Sequence, residues 1–410
     1  MRTLRMALLW ALLISLLPLC AWAGAEQKED EMTIPELTIP ELTMKQFELP
    51  DNEATRLARS MKLGWNLGNT FDAYDDEGWF KGKGDAMETA WVGVRTSRDL
   101  IRALKAAGFN TVRIPVSWHN HLEADGTING AWLARVRQVA DWVMAEGMYA
   151  IVNVHHDNSL KFMYPDEAHY DQSVAYLTNV WTQIAACFAD CDEHLILESL
   201  NEPRLVGTAE EWWYNPNSEK CREAAEVINR LNQLFVDIVR ASGSNNADRF
   251  LLVPGYDASP ESVLDKAFRL PEDPAEHRLM IACHAYRPYE FALHKENQKD
   301  TTFTLSEKAK TTEIAKFLTN LYDRYVSQGI PVIMDEFGAL DKGGNTQDRV
   351  NFAAWYVLCA SARGITCVWW DNHVFTGGGE RFGLIKRETC EWVYPEIVEA
   401  MTTYCLYGRE

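Results

Sequence analysis

The sequence predicts an α/β protein built as a single (β/α)8 TIM barrel, because eight short apolar runs alternate with stretches of helical periodicity. No stretch rich in Gly, Ser or Pro interrupts residues 51–410, so this region is predicted to be one domain. The predicted strands cover residues 62–67, 110–115, 149–154, 194–200, 249–254, 279–283, 331–335 and 365–370. The predicted helices cover residues 96–107, 131–146, 173–188, 219–241, 307–327 and 346–363, and the helix after the fifth strand is poorly defined.

Residues 1–23 have the layout of a secretory signal peptide, with a basic start, an apolar run to Cys20 and Ala-Trp-Ala before Gly24. Cleavage after Ala23 is therefore expected, with the mature protein secreted or periplasmic. A lipid anchor at Cys20 is the less favoured alternative, because the preceding Leu19 is bulkier than the residue that lipoprotein processing prefers.

Residues 24–50 form an acidic, Pro-containing extension in which Thr-Ile-Pro-Glu-Leu occurs twice, at 33–37 and 38–42. This composition predicts a tether or an extended strap and not a domain. Beyond residue 23, no apolar run approaches the roughly 20 residues that a membrane-spanning helix needs.

The formal net charge of -19 repels nucleic acid and acidic membrane surfaces, so a neutral or cationic partner is expected. The 15 Trp and 15 Tyr residues supply flat rings, which stack on sugar faces or fill the core. We expect no nucleic acid, no membrane span and a monomer.

Several of the nine cysteines have an expected state. Cys187 with Cys191, and Cys390 with Cys405, lie where helix ends would bring each pair close. Cys283 and Cys359 lie in apolar runs and are predicted to be buried thiols.

Polar and aromatic residues follow at least seven of the predicted strands. The active sites of (β/α)8 barrels lie at the carboxyl ends of the strands, so these residues are predicted to converge on one cleft. They are Trp65, Asn66, Asn69, Arg113, His155, His156, Asp157, Asn201, Glu202, His284, Tyr286, Glu336, Trp369 and Trp370.

Two of these residues are glutamates that follow the fourth and seventh strands, Glu202 and Glu336. A retaining glycosidase holds its two carboxyl groups about 5 to 5.5 Å apart, one as nucleophile and one as acid/base. Alternatively, either glutamate forms a salt bridge with Arg113. Arg113 and Tyr286 are the candidates for keeping Glu336 ionised, whereas burial and nearby negative charge are expected to raise the pKa of Glu202.

Two further residues have expected substrate contacts. Asn201 is predicted to hydrogen-bond the sugar 2-hydroxyl, a contact that strengthens in the transition state. Trp370 is predicted to be a stacking floor for a sugar ring.

Seven segments between Leu63 and Asn372, taken in order, resemble glycoside hydrolase family 5, in particular its fourth subfamily. They are LGWNLGNTFDA, NTVRIPVSWHNH, VNVHHD, ESLNEP, HAYRPYEF, MDEFGA and VWWDN. The resemblance implies a (β/α)8 barrel, retention of anomeric configuration, no cofactor, and endo cleavage of β-1,4-glucans, often including xyloglucan and mixed-linkage glucan.

By the same resemblance, Glu202 corresponds to the acid/base and Glu336 to the nucleophile. The residues that match the rest of the family's site are Arg113, His155, Asn201, His284, Tyr286 and Trp370. Asn66, His119 and His156 complete the predicted substrate-binding set, and His155 is favoured over His156 as the histidine that faces the substrate.

Two loops set the predicted substrate preference, residues 74–84 and the Trp212-Trp213-Tyr214 segment. The latter segment either lines the leaving-group side of the cleft or packs its loop down. Because only the loops differ between enzymes of this type, a β-mannanase or a xylanase is the alternative activity.

Two other classes of protein are less favoured. A metal-dependent hydrolase is suggested by His119-x-His121 and by the residues at 155–157, but such barrels usually carry H-x-H on the first strand. A non-catalytic glycan-binding barrel is disfavoured because both glutamates are present.

Overall fold

The computed structural model describes residues 37–82, 84–296 and 299–407. The predicted signal peptide and the first copy of the Thr-Ile-Pro-Glu-Leu repeat, apart from its last residue Leu37, lie outside these residues. Among the helices of the described residues, none is long and apolar enough to cross a membrane.

Eight parallel strands close into a barrel in sequence order, with the eighth strand paired to the first. Each predicted strand coincides with an observed one, which confirms the predicted (β/α)8 barrel. The barrel strands are β1 Leu63–Leu67, β2 Thr111–Ile114, β3 Tyr149–Asn153, β4 Leu195–Glu198, β5 Leu251–Pro254, β6 Leu279–His284, β7 Val332–Phe337 and β8 Thr366–Asp371. A small hairpin, β9 Ile385–Lys386 and β10 Glu391–Trp392, follows β8.

Helices surround the barrel, and the six long helices predicted from the sequence are all present within a few residues of the expected ends. The helix after β5 is a single short piece, as its weak pattern indicates. The helices are α1 Glu53–Met61, α2 Arg98–Ala106, α3 Gly130–Ala145, α4 Tyr170–Cys187, α5 Glu219–Ala241, α6 Pro260–Leu264, α7 Tyr289–Ala292, α8 Lys308–Arg324, α9 Thr346–Ser361 and α10 Pro395–Tyr404.

Helix α1 covers the amino-terminal end of the barrel. Its apolar face, including Leu57 and Met61, packs on strand residues such as Ile196 and Ile333. Asn52 caps this helix by accepting a hydrogen bond from the backbone N–H of Thr55 at 2.9 Å. With this end closed, the carboxyl ends of the strands are left for the functional site.

The described part of the N-terminal extension, residues 37–50, lies against the outer helices. The backbone N–H of Leu42 donates to the Tyr404 hydroxyl at 2.9 Å, and that of Phe47 donates to the Ala362 carbonyl at 2.8 Å. This part of the extension is therefore an extended segment docked on the barrel.

Neither candidate disulfide pair is bonded, because Cys187, Cys191 and Cys390 are free thiols. Burial raises the pKa of the Cys191 thiol to about 11, so it stays protonated and unreactive. Cys283 and Cys359 are buried free thiols, which confirms that prediction.

Candidate active site

Arg113, at the end of β2, lies at the centre of the predicted cleft and is fully buried. Its guanidinium donates to both Glu198 oxygens (2.7 and 2.8 Å), to Glu336 (2.7 Å), to Asn66 (3.0 Å) and to Asn201 (2.8 Å). Burial opposes the positive charge, but the surrounding carboxylates hold the pKa of Arg113 well above its ordinary value. All five of its N–H groups are therefore used to orient the site.

Glu336, near the end of β7, is held through both of its carboxyl oxygens. One oxygen accepts from Arg113 at 2.7 Å, and the other accepts from the Tyr286 hydroxyl at 2.8 Å. Burial and the neighbouring Glu336 raise the pKa of Tyr286 well above its ordinary value, so the phenol remains a neutral donor. The structure thus brings to this carboxylate the two donors that the sequence predicts, Arg113 and Tyr286.

Glu202 follows β4 and has a different environment. One of its oxygens lies 2.7 Å from Nδ1 of His284, and the other lies 3.4 Å from an Arg204 Nη1. Burial raises the pKa of Glu202, but the hydrogen bond and the charge of His284 outweigh it and lower that pKa to about 2. The predicted upward shift of the pKa of Glu202 is therefore wrong, because sequence reasoning did not pair it with a cationic imidazole.

His284 forms the other half of this pair. Burial disfavours its charge, but Glu336, Asp335 and Glu202 together raise its pKa to about 9. Glu202 and His284 therefore share one proton throughout the neutral range, and in the free protein this proton lies on the imidazole.

The two glutamates approach each other closely. A carboxyl oxygen of Glu202 and one of Glu336 lie within 4.8 Å of each other, and His284 Nδ1 lies 3.6 Å from Glu336. Retaining glycosidases hold their carboxyl groups about 5 to 5.5 Å apart, and inverting enzymes about 6.5 to 9.5 Å. Of the two glutamates, Glu336 is the one that pairs with Arg113, and the separation fits direct attack by a carboxylate.

The side-chain amides of Asn66 and Asn201 both accept a hydrogen bond from Arg113, but their NH2 groups differ in their partners. Asn66 is fully buried, with its Oδ1 on Arg113 and its Nδ2 donating to the Asp335 carbonyl at 2.8 Å. It supports the arginine from beneath. Asn201 also accepts from Arg113 through Oδ1, which leaves its NH2 group to donate elsewhere.

His155 is a buried, neutral ring. Its Nδ1 lies 3.1 Å from the Asn153 amide nitrogen, which places the ring proton on Nε2. Burial and the neighbouring His156 lower its pKa well below the ordinary value. The ring lies parallel to that of Trp370, with centroids 6.0 Å apart and planes 2° apart.

The Trp370 ring packs closely against the backbone of Gly68, in the loop after β1. A Cβ on Gly68 would lie 2.9 Å from the Trp370 ring and 2.8 Å from the Asp371 carbonyl oxygen. Neither contact is tolerable, so only glycine allows the loop after β1 to pass this close to the ring.

The rings of His156 and His119 both pack against Tyr74. Burial lowers the pKa of His156 to about 4, and its ring centroid lies 5.3 Å from that of Tyr74. His119 lies 3.0 Å from Asp157 and 3.3 Å from Asp76, and these carboxylates outweigh burial and raise its pKa. The two predicted histidines therefore share one aromatic neighbour, and two acids orient His119.

His119 and His121, whose spacing resembles that of metal ligands, belong to none of the possible metal-binding groups among the described residues. The His121 ring stacks on Trp132, with centroids 3.6 Å apart, and burial lowers its pKa to about 3. Asp157 is used by the His119 ring, by backbone N–H groups and by the Tyr176 hydroxyl at 2.6 Å. These side chains are thus committed to orienting the loops after β2 and β3.

A cavity of about 610 Å3 extends from Glu202 and His284 along the loops after β4 to β6. Trp212 and Trp213 line it and are 54% and 63% exposed. The guanidinium of Arg204 lies 4.0 Å from the Trp212 ring centroid and so holds this ring in place.

Tyr214 behaves differently from the two tryptophans beside it. It contributes to the lining of the cavity, but its hydroxyl donates to Asp265 at 3.1 Å and its ring packs near Tyr256. The segment is therefore divided, because Trp212 and Trp213 line the cavity with exposed rings whereas the Tyr214 hydroxyl fastens the loop.

Two acidic residues of the site were missed by sequence reasoning, Glu198 on β4 and Asp335 on β7. Both are fully buried. The signal was present, since each acid directly follows an apolar run within its strand, Leu195-Ile196-Leu197 and Val332-Ile333-Met334. A buried carboxylate needs a partner, so an acid inside a barrel strand indicates a cation nearby.

Comparison with known proteins gives matches over most of the chain. The family model described as cellulase (glycosyl hydrolase family 5) matches residues 73–376. Endoglucanase 1 of Ruminococcus albus is 41% identical over 354 residues, which cover 86% of this chain and 81% of that protein. Endoglucanase A of Clostridium longisporum is 36% identical over 349 residues, covering 85% of this chain and 65% of that protein.

Solved structures match equally well. A family 5 lichenase from Caldicellulosiruptor sp. F32 is 49% identical, with a TM-score of 0.88, covering 90% of this chain and 100% of that chain. A GH5-4 broad specificity endoglucanase from Ruminococcus champanellensis with bound cellotriose is 41% identical, with a TM-score of 0.79 and coverage of 87% and 100%.

Proposed function

Since the chain belongs to glycosyl hydrolase family 5, we propose that it is a retaining endo-β-1,4-glucanase with Glu336 as nucleophile and Glu202 as acid/base. The observation that carries the proposal is the pair of carboxyl oxygens within 4.8 Å, one on each glutamate, in different environments. Glu336 is fixed by two donors, whereas Glu202 shares a proton with His284.

In the first step, a Glu336 oxygen forms a bond to the anomeric carbon while the bond to the leaving oxygen breaks. The leaving oxygen takes the proton shared by Glu202 and His284. Substrate that excludes water from the cleft disfavours the separated charges of this pair, so the proton moves from Nδ1 of His284 to Glu202 before transfer.

In the second step, a water molecule attacks the anomeric carbon and the bond to Glu336 breaks. The water gives its proton to Glu202, and the Glu202–His284 pair regains its starting state. Two inversions at one carbon leave the anomeric configuration unchanged. Arg113 and Tyr286 receive the restored carboxylate of Glu336 with their hydrogen bonds already aligned.

The proposed substrates are soluble β-1,4-glucans, mixed-linkage glucan and xyloglucan. The open cavity with Trp212 and Trp213 on the side of the acid/base suits an internal stretch of a polysaccharide, whose sugar faces stack on exposed rings. Similar proteins are named as lichenase and broad specificity endoglucanase, which favours glucans over mannan or xylan.

Two experiments test the proposal. Glu336→Gln should abolish reducing-sugar release from carboxymethylcellulose, mixed-linkage glucan and xyloglucan. The control variant Glu272→Gln, which changes an exposed glutamate far from the cleft, should keep this activity.

Glu202→Ala should keep its first step on an aryl cellobioside with a good leaving group and give a β-glycosyl azide when azide is added. An α-azide, or equal activity of Glu336→Gln and the native protein, would refute the assignment. Activity on mannan or xylan alone would change the substrate class and keep the mechanism.

We also propose that residues 1–23 are a signal peptide, that residues 24–50 are an extension to the catalytic domain at 51–410, and that the secreted enzyme is a monomer. The acidic extension, and the lack of any apolar run of about 20 residues between residues 24 and 410, support this division. Amino-terminal sequencing of the exported protein and its mass in solution test these points, and a start other than Gly24 would move the cleavage site.

A further inference from the structure

Asp335, which precedes the proposed nucleophile on β7, is a fully buried carboxyl group with neither oxygen in a hydrogen bond. Its neighbours are cations at slightly longer range, His284 Nε2 at 3.5 Å and Arg113 Nε at 3.7 Å. Arg113 already uses all of its N–H groups on other partners. The carboxyl group of Asp335 is therefore held in the barrel by the imidazole of His284 more than by the arginine.

The imidazole lies between two acids. Its Nδ1 is 2.7 Å from Glu202, while its Nε2, which is buried and makes no hydrogen bond to another described residue, faces Asp335. An imidazolium carries a proton on each nitrogen. A carboxylate behind Nε2 favours the charged ring and keeps that proton in place when the Nδ1 proton is given away.

We propose that Asp335 is a positioning residue that acts through His284 to control the proton on Glu202. The inference rests on the proposed function, since it concerns the acid/base of that reaction. Asp335 fixes the tautomer of neutral His284 with its proton on Nε2, so that Nδ1 remains free to return a proton to Glu202 or to receive one from it. The only atom that moves in this exchange is the proton between Nδ1 of His284 and the Glu202 carboxyl group.

Charged and titratable groups from several strands face this pair. They are Arg113 on β2, His155 after β3, Glu198 and Glu202 on and after β4, Asp257 after β5 and Glu336 on β7. Burial and Glu198 raise the pKa of Asp335 to about 8, and His284 and Arg113 oppose that rise. Since the pKa of His284 is raised to about 9, Asp335 is ionised in the pH range in which the imidazolium loses its proton. Removing the charge of Asp335 leaves Glu336 and Glu202 as the acids that stabilise imidazolium.

The test is the titration of His284 in 15N-histidine-labelled full-length protein, in native form and as Asp335→Asn, Asp335→Ser and Asp273→Asn. The side chain of Asp273 is 5% exposed and pairs with Arg240 outside the barrel, so its variant controls for the loss of another carboxylate that is shielded from solvent and paired with an arginine. We expect the pKa of His284 to fall by about one to two units in both Asp335 variants and to stay unchanged in Asp273→Asn. An unchanged titration of His284 in whichever Asp335 variant folds overturns the proposal.

The pH profile of activity separates this proposal from the assignment of Glu202. On carboxymethylcellulose, the alkaline limb of kcat/KM should move to lower pH in the Asp335 variants. On an aryl cellobioside that needs no acid, the limb should stay in place. If instead Glu202→Ala loses activity equally on both substrates, the acid/base assignment fails, whatever the titration of His284 shows.

Discussion

Replacing Arg113 by methionine removes the guanidinium that donates five hydrogen bonds at the centre of the site. Methionine is an unbranched side chain that fills much of the same space without charge. The change leaves Glu198 and Glu336, whose side chains are 0% and 6% exposed, without their shared cation.

The expected loss of stability follows from that burial. Breaking a buried ion pair by removing one partner costs about 3 to 5 kcal/mol, because the remaining charge is left without compensation. Two carboxylates lose their cation here, and one of them loses a bidentate contact. We therefore expect the free energy of unfolding at pH 7 to fall by at least about 4 kcal/mol. An exposed ion pair contributes about 0 to 1 kcal/mol.

The assay is urea unfolding followed by tryptophan fluorescence at pH 7 and at pH 4.5, with Arg56→Met as the control. Arg56 forms a surface contact with Asp51 at 3.0 Å and is 53% exposed. In Arg113→Met, two buried carboxylates lack a cation, and the protons that neutralise them in the folded protein make the deficit shrink as pH falls. A deficit no larger than that of Arg56→Met, or one that is the same at both pH values, would refute the reasoning.

Three further predictions concern other parts of the molecule. Trp213→Ala should raise KM for cello-oligosaccharides about two- to tenfold through lost stacking and leave hydrolysis of a short aryl cellobioside unchanged, which steady-state kinetics on both substrates checks. Asn52→Ala should remove the amino-terminal cap of α1 and lower the free energy of unfolding by about 0.5 to 2 kcal/mol, measured by urea titration. His284 has its folded pKa raised from 6.5 to about 9, so its contribution to stability is complete below pH 6.5 and fades as pH rises to 9. His284→Asn should remove this decline when stability is measured across that range.

The strands and long helices were predictable because each follows from local periodicity. Short apolar runs such as Val332-Ile333-Met334 are typical of strands in a parallel sheet, because both faces of such strands are buried. Helix α1 was not predicted, although Asn52 and Thr55 form a capping box at its start. Nine residues are too few for a clear period, and its position under the barrel depends on contacts with strands far along the chain.

Most members of the site, though not Glu198 and Asp335, were also visible in the sequence, because a barrel places every strand end at one edge. Arg113, Tyr286 and Glu336 meet as the sequence suggests. The exposed Trp212 and the fastened Tyr214 show where sequence reasoning left two alternatives open. A contact with another side chain holds each of them: Arg204 packs on the Trp212 ring, and Asp265 accepts a hydrogen bond from Tyr214.

The sequence by itself determined the barrel, the catalytic candidates and the side of the barrel on which they lie. Tertiary structure alone decided the protonation of the site. Glu202 and His284 are 82 residues apart, and the 2.7 Å contact between them reverses the expected shift in the pKa of Glu202. A pKa depends on the charges within a few ångströms and on burial, and both are set by how distant strands are brought together, not by the residues adjacent in the chain.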